Sequence, residues 1–352
     1  MNHAPQARQQ SPIDPGQFSF GVIALDHFHI HGMAADLKKA GAECKLVYDA
    51  DPQRLAFFLK QHPEAKAATC EQEILDSNEI SLIVSAAVPC LRQELGMRVM
   101  DHGKDYFTDK APFTTLKQLS QARLKVQDTG RKYMCCYSER LQNEAACFAM
   151  ELIADGVIGA VIQVLGLGPH RLNAPHRPDW FFNKAEYGGI ITDIVSHQAE
   201  QFLAFTSARD ATITAARVHN YSHPEYPELE DFGEFNLLGD NQASGYFRMD
   251  WFTPDGLRTW GDGRTVILGT DGYIELRKYV DLAREDNREN HVYIVTGSGE
   301  EYHNVTGKIG HPFFKDFILD CLDRTENAMA QAHCFKAAEI SLKAQLLADQ
   351  SR

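Results

Sequence analysis

Phe18-Ser19-Phe20-Gly21-Val22-Ile23-Ala24-Leu25-Asp26-His27-Phe28-His29-Ile30-His31-Gly32 is the stretch on which the fold turns. Its first eight residues read as a short buried strand. The chain then turns at Asp26 toward an amphipathic helix over 33–40. The alternation continues with a strand at 44–48 ending in Asp49, and a helix at 53–60 opened by Asp51-Pro52. An apolar strand at 80–86 follows, then Pro89 and a helix to about His102. A strand at 105–108, a helix at 115–130 and a strand at 132–137 complete the series. Strands alternating with helices predict a parallel sheet with right-handed crossovers. Such sheets take ligands at the carboxyl ends of their strands. Asp26, Asp49, Pro89 and Lys110 fall just past strand ends and are expected to line one crevice, with Ala87 and Asp109 beside them.

The first turn departs from a phosphate cradle. The pattern Gly-x-Gly-x-x-Gly brings backbone amides up to a pyrophosphate. Here the corresponding positions read Ala24-Leu25-Asp26-His27-Phe28-His29. Ala24, Asp26, His27 and His29 are still the residues expected beside a dinucleotide, with the Asp26 carboxylate an unfavourable like charge. Asp49, a little over twenty residues on, sits where an acidic residue takes ribose hydroxyls, so NAD is expected ahead of NADP. Arg54, one turn into the next helix, is placed to cover the adenine. His27, His29 and His31 would converge on a metal only in an extended segment, and a turn entering a helix is expected instead, so no metal is assigned.

From about residue 144 the pattern changes. After a helix to 154 come period-two strands near 160–167, 211–218, 232–238, 243–252, 265–276 and 292–296, and two closing helices near 312–322 and 337–347. Strands without intervening helices predict an open, mostly antiparallel sheet in an α+β domain. Within it, Gly188-Gly189-Ile190-Ile191-Thr192-Asp193-Ile194-Val195-Ser196-His197-Gln198 puts a carboxylate and an imidazole four apart. On a helix they share a face, an arrangement suited to proton transfer. The preceding loop, residues 168–182, carries His170, Arg171, Arg177 and Trp180, which read as substrate-recognition residues: arginine forks and an indole face suited to a sugar ring. A second loop, residues 251–264, is a lid or an interface element.

The expected organisation is a disordered tail (1–17), a Rossmann-like dinucleotide-binding domain (18–140) and an α+β substrate and oligomerisation domain (141–352). A chain of 352 residues suits two domains. Its net charge of −13 argues against a general nucleic-acid or anionic-membrane binder. No apolar run is long enough to span a bilayer. Eight scattered cysteines without a Cys-x-x-Cys pair fit a reducing cytoplasm.

Four segments together resemble the glucose–fructose oxidoreductase / inositol dehydrogenase / MocA family of NAD(P)-dependent oxidoreductases. They are Val47 to Arg54, Gly103-Lys104-Asp105-Tyr106-Phe107-Thr108-Asp109-Lys110-Ala111-Pro112, Gly188-Gly189 through Asp193 to His197, and Ile267 to Glu275. The resemblance implies hydride transfer between a nicotinamide and a sugar, polyol or related hydroxyl compound. It implies Lys110, Asp193 and His197 as the reacting trio, and a homodimer or homotetramer built through the second sheet. Asp109 stands where the family has Glu, Ala111 separates Lys110 from Pro112, and the first turn lacks its glycines. Those departures leave two other readings: a lyase, epimerase or glycoside-cleaving enzyme with a tightly held cofactor, and a cofactor-poor sugar-sensing protein.

Overall fold

The computed structural model describes residues 3–5, 12–284 and 288–350. The chain divides into two compact units, residues 9–136 with 312–335, and residues 1–8 with 137–311 and 336–352.

The first unit holds a six-stranded sheet of β1 (Ser19–Ile23), β2 (Glu43–Tyr48), β3 (Lys66–Ala67), β4 (Leu82–Ser85), β5 (Asp105–Asp109) and β6 (Tyr133–Cys136), in the order β3-β2-β1-β4-β5-β6. Every pairing is parallel. Strands β1, β4, β5 and β6 are buried along their whole length, as strands covered on both faces must be. The helices α1 (His29–Lys39), α2 (Pro52–Gln61), α3 (Glu71–Asp76), α4 (Arg92–Asp101) and α5 (Leu116–Thr129) connect them. Asp51 caps α2 by accepting from the Gln53 and Arg54 amides, and Thr115 with Gln118 forms a capping box on α5. Helix α1 begins at His29, four residues before the expected start.

Two expected boundaries shift. Residues 312–335, expected in the second domain, group with the parallel sheet. The rings of Phe313, Phe314 and Phe317 pack 5.1–6.1 Å from that of Phe107 on β5. Part of the expected disordered tail is packed: Ile13 is buried and its amide donates to the Ala40 carbonyl at 3.0 Å. His3 bonds Glu301 in the second unit at 2.7 Å, whereas residues 1–2 and 6–11 of that tail lie outside the described residues.

In the second unit, α6 (Ser138–Leu141) and α7 (Glu144–Ala154) precede β7 (Val161–Pro169). Helix α8 (Lys184–Tyr187), a π-helical turn (Ile191–Val195) and α9 (Ser196–Thr206) follow. Then come β8 (Ala211–His219), β9 (Phe232–Gly239), β10 (Ser244–Asp250), β11 (Arg264–Gly269), β12 (Gly272–Arg277), β13 (His291–Thr296) and β14 (Gly299–Asn304). These strands form an eight-stranded sheet, β14-β13-β12-β11-β7-β10-β9-β8, antiparallel except where β7 runs parallel with β10. Burial alternates along β9, β10 and β11, so one face is covered by helices and the other is not. Helix α10 (Pro312–Asp323) belongs to the first unit, and α11 (Gln331–Gln350) runs from the first unit into residues assigned to the second. Among the described residues, no helix is long and apolar enough to cross a membrane.

Candidate functional site

In the first unit the expected residues gather at the carboxyl ends of the parallel strands. Ala24 follows β1 in the left-handed region, φ +66°, the conformation a tight turn would ordinarily give to glycine. Three amides of this turn have partners within the unit: Ala24 donates to the Tyr48 carbonyl, Leu25 to the Asp49 carboxylate and His27 to the Ala86 carbonyl. Asp49 is buried, and its other oxygen accepts from the Asp51 amide at 2.7 Å and from Arg54 Nη2 at 2.9 Å. The expected ribose acceptor therefore also ties the first turn to the end of β2. Arg54 bridges to Asp26 as well, at 3.1 Å, with Asp51 at 3.9 Å, so three carboxylates surround one guanidinium. Burial raises the Asp26 pKa, with Arg54 opposing it.

The end of β5 is built around Asp109, whose side chain is 1 % exposed. One of its oxygens accepts from the Lys110 amide at 2.8 Å and lies 3.0 Å from His29 Nδ1. The other lies 3.3 Å from His27 Nδ1 and 3.3 Å from Arg92 Nη2. Burial opposes ionisation of Asp109, yet the positive surroundings of His29, Arg92 and His27 hold its carboxyl well below the usual range. Burial, then the neighbouring His29, pushes His27 well below an ordinary imidazole. The rings of His27 and His29 stand edge-to-face with centroids 4.0 Å apart. His31 turns instead to Phe57 and Phe58, with ring centroids at 5.1 and 5.5 Å.

Arg92 was not anticipated from the sequence. It is fully buried at the start of α4 and donates to the Ala87, Lys110 and Ala111 carbonyls besides Asp109. It thereby locks the loop after β4 to the loop after β5 and fixes the backbone that carries Lys110, itself buried. An arginine just past Pro89, at the mouth of a strand, was the available signal.

In the second unit, Gly188 and Gly189 both have positive φ, +90° and +95°. Gly188 ends α8. A Cβ on Gly189 would come within 2.4 Å of the Gln345 side chain, whose oxygen accepts from the Ile191 amide at 3.0 Å. The glycine pair thus lets α11 brace the start of the next helix. Asp193 and His197 are both buried there. Asp193 lies in the π-helical turn and His197 in the first turn of α9, so the spacing of four spans the junction of the two windings. Arg140 fixes α9 from below, bonding Glu200 through Nε at 2.8 and 2.9 Å.

A buried ion pair lies close to His197. Glu139 accepts from Lys278 Nζ at 2.7 Å and from the Tyr279 hydroxyl at 2.8 Å, and Lys278 also donates to Gln201 at 3.1 Å. Burial works against the Glu139 charge, but Lys278, with His197 and His170, outweighs it and lowers the pKa to about 2. The reading along the chain missed this pair. Its signal was positional: Glu139 follows the end of β6 as Lys110 follows β5.

The recognition loop holds together differently from expectation. One terminal nitrogen of Arg171 shares its two N–H groups among the carbonyls of Pro254, Asp255, Leu257 and Thr259, 2.7–3.3 Å away, making Arg171 a clasp on the loop 251–264 rather than an outward fork. His170 packs 4.6 Å from the Trp260 ring and bonds the Gly168 carbonyl. Arg177 lies over Phe181 at 4.6 Å and Trp251 at 5.1 Å; burial lowers its pKa and the Asp193 charge opposes that. Among the four residues expected to recognise substrate, Arg177 has its charge felt by Asp193. Trp180 sits at the edge of this aromatic group, 5.9 Å from Phe181.

Residues 148–275 match the model of the GFO/IDH/MocA C-terminal domain. An oxidoreductase candidate of known crystal structure from Erwinia carotovora atroseptica is 49 % identical, over 94 % of this chain and 99 % of its own, with a TM-score of 0.91. An uncharacterized oxidoreductase from Streptococcus pneumoniae is 23 % identical over 73 % of this chain and 68 % of its own. Levoglucosan dehydrogenase, solved with NADH and levoglucosan, shares the fold at 17 % identity, over 95 % of this chain and 98 % of its own, with a TM-score of 0.77. The chain belongs to the glucose–fructose oxidoreductase / inositol dehydrogenase / MocA family of oxidoreductases.

Proposed function

We propose that the protein is an NAD-preferring dehydrogenase that oxidises or forms a secondary hydroxyl on a sugar, polyol or related compound. The observation that carries the reading is the buried Asp193–His197 helix, led in by two positive-φ glycines and lying in the field of Glu139. His197 takes the hydroxyl proton as general base. Asp193 holds the imidazole or the neighbouring hydroxyls, and Arg177 adds positive charge facing Asp193. Lys110 donates to the reacting oxygen and stabilises the charge that develops there. A bound nicotinamide supplies the hydride acceptor.

The strand order 3-2-1-4-5-6 and the left-handed turn at Ala24 fit a dinucleotide at the β1/β4 switch point. Ala24, Asp26, His27 and His29 border its pyrophosphate, Asp49 and Arg54 its adenosine ribose, and Ala87, Pro89, Asp109 and Lys110 its nicotinamide side. Three carboxylates around Arg54 disfavour a 2′-phosphate, which supports NAD over NADP. By sheet register Leu238, Leu268 and Tyr273 lie on one face, and all three are exposed. They support pairing of copies through that face, which light scattering would measure.

The test is titration of the purified full chain with NAD and NADP, followed by NADH formation over a panel of aldoses, lactones and polyols. Saturable NAD binding with turnover of a hydroxyl substrate is expected. A protein that binds neither dinucleotide at millimolar concentration sinks the reading.

A further inference from the structure

We propose that His27, His29 and Asp109 form a binding site for one divalent transition-metal ion of the zinc type, at the turn between β1 and α1. The three residues come from two places, 80 positions apart in sequence for His29 and Asp109. Each presents one ligand atom, and all these atoms lie within 4.8 Å of one another.

The spacing suits coordination. Adjacent ligand atoms at about 2.0–2.1 Å from a metal are roughly 2.8–3.0 Å apart in an octahedral arrangement and roughly 3.3–3.4 Å apart in a tetrahedral one. Asp109 meets His29 Nδ1 at 3.0 Å and His27 Nδ1 at 3.3 Å, one carboxylate oxygen facing each ring. The two rings stand edge-to-face with centroids 4.0 Å apart, so both nitrogens approach the carboxylate from different directions. Two imidazoles and one carboxylate are the donor set of borderline ions such as Zn²⁺, and three protein ligands leave positions for water or a ligand oxygen.

Hydrogen bonding alone serves this cluster poorly. His27 Nδ1 lies 3.3 Å from the His29 amide, which donates to it, and 3.3 Å from an Asp109 oxygen, which can only accept. A ring nitrogen carries either a proton or a lone pair in its plane, so one of the two contacts is wrong in either tautomer. A cation at that position satisfies both the nitrogen lone pair and the carboxylate. Arg92 leaves room for it, since its shorter bonds go to backbone carbonyls and its contact with Asp109 is at 3.3 Å. The cluster is also reachable: the side chains of His29 and His27 are 37 % and 16 % exposed, over a carboxylate that is 1 % exposed. Such an ion would bring positive charge to a turn that carries Asp26 and lacks glycines. The proposal stands on this geometry and does not depend on the redox reading.

The experiment uses the full chain stripped with a chelator, Zn²⁺ alone as probe, and a competing indicator to measure affinity. One equivalent per chain is expected. His29→Ala, at a half-exposed position, weakens that equivalent at least tenfold, and His31→Ala leaves it unchanged. Asp109→Asn weakens it too, and if circular dichroism shows that variant unfolded, His29→Ala decides. X-ray absorption of the loaded protein should show a nitrogen and oxygen shell with two imidazoles. No saturable first equivalent, or the same affinity in His29→Ala as in the unmodified protein, overturns the site.

Discussion

Asp109 and Glu139 make a useful pair. Each is a buried carboxylate at or just past the carboxyl end of a strand, one in each unit, and each is held ionised by neighbouring positive groups. Their partners differ in access to solvent. Glu139 is bonded by Lys278, 2 % exposed, so its pair is closed off and acts as a fixed source of negative potential for His197 and His170. Asp109 is ringed by two histidines that reach solvent, so its partners are able to exchange for a ligand. The same chemical unit serves as permanent scaffold in one place and as a prospective ligand site in the other, and exposure of the partner decides which.

The sharpest way to break this comparison is to remove the group the Glu139 field acts on. His197→Ala should cut turnover by about 10²–10⁴-fold while the fold and NAD binding survive. Lys110→Ala should lower kcat more than it weakens NAD. A His197→Ala enzyme with near-normal kcat would leave Glu139 and Asp193 organising nothing catalytic.

Removing the buried cation beside Asp109 tests the other half. Arg92→Met leaves a buried carboxylate with fewer compensating charges and strips donors from three carbonyls. A loss of about 3–5 kcal/mol is expected in denaturant unfolding. Zinc should restore more of that loss in this variant than it adds to the unmodified protein, if the histidines and Asp109 take the ion. A loss below about 1 kcal/mol would mean that Arg92 does not hold the β5 end in place.

Glu139→Gln keeps the shape and removes the charge. Lys278 then faces an amide in a buried place, and a cost of about 3 kcal/mol is expected. The pH dependence carries the sign. The folded pKa of Glu139 is about 2, below the ordinary 4.5, so its stabilisation is fully present above pH 4.5 and lost as pH falls toward 2. Unfolding of the unmodified protein should steepen across that window, and the variant should lack that share of the slope. Parallel acid limbs would show that Glu139 is not the group titrating.

What was legible in the chain follows from which forces act locally. The switch from alternating strand and helix to period-two strands announced both sheets, because periodicity is set residue by residue. Lys110, Asp49 and the glycine-led helix were visible since they sit at strand ends and at a turn. Arg92, Lys278 and Glu139 were not, because a buried charge is decided by a partner far away in sequence, 139 positions for Lys278 and Glu139. Likewise nothing in the spacing of His27, His29 and His31 pointed to Asp109, 80 positions beyond His29. The short β3 and the edge strand β14 escaped notice for a simpler reason: two residues, and a run as polar as Gly299–Asn304, carry almost no apolar pattern.

The smallest expected effect concerns Asp49, where the scaffold and ligand roles fall on one residue. Its carboxylate takes the Leu25 and Asp51 amides and the Arg54 guanidinium, and it is also the proposed acceptor for the adenosine ribose hydroxyls. Arg54 is 38 % exposed, so water screens its contact with Asp49, and the charge effect there is on the order of 1 kcal/mol. Asp49→Ser should therefore narrow the preference for NAD over NADP by a factor of about five to ten, as Arg54 loses one of three carboxylates and becomes a better partner for a 2′-phosphate. Dissociation constants for both dinucleotides, measured on the same preparation, read this directly. If NAD weakens but NADP does not gain, Asp49 works mainly as the brace of the first turn. If the unmodified protein already prefers NADP, Arg54 rather than the carboxylates around it sets the choice, and the electrostatic argument for NAD fails.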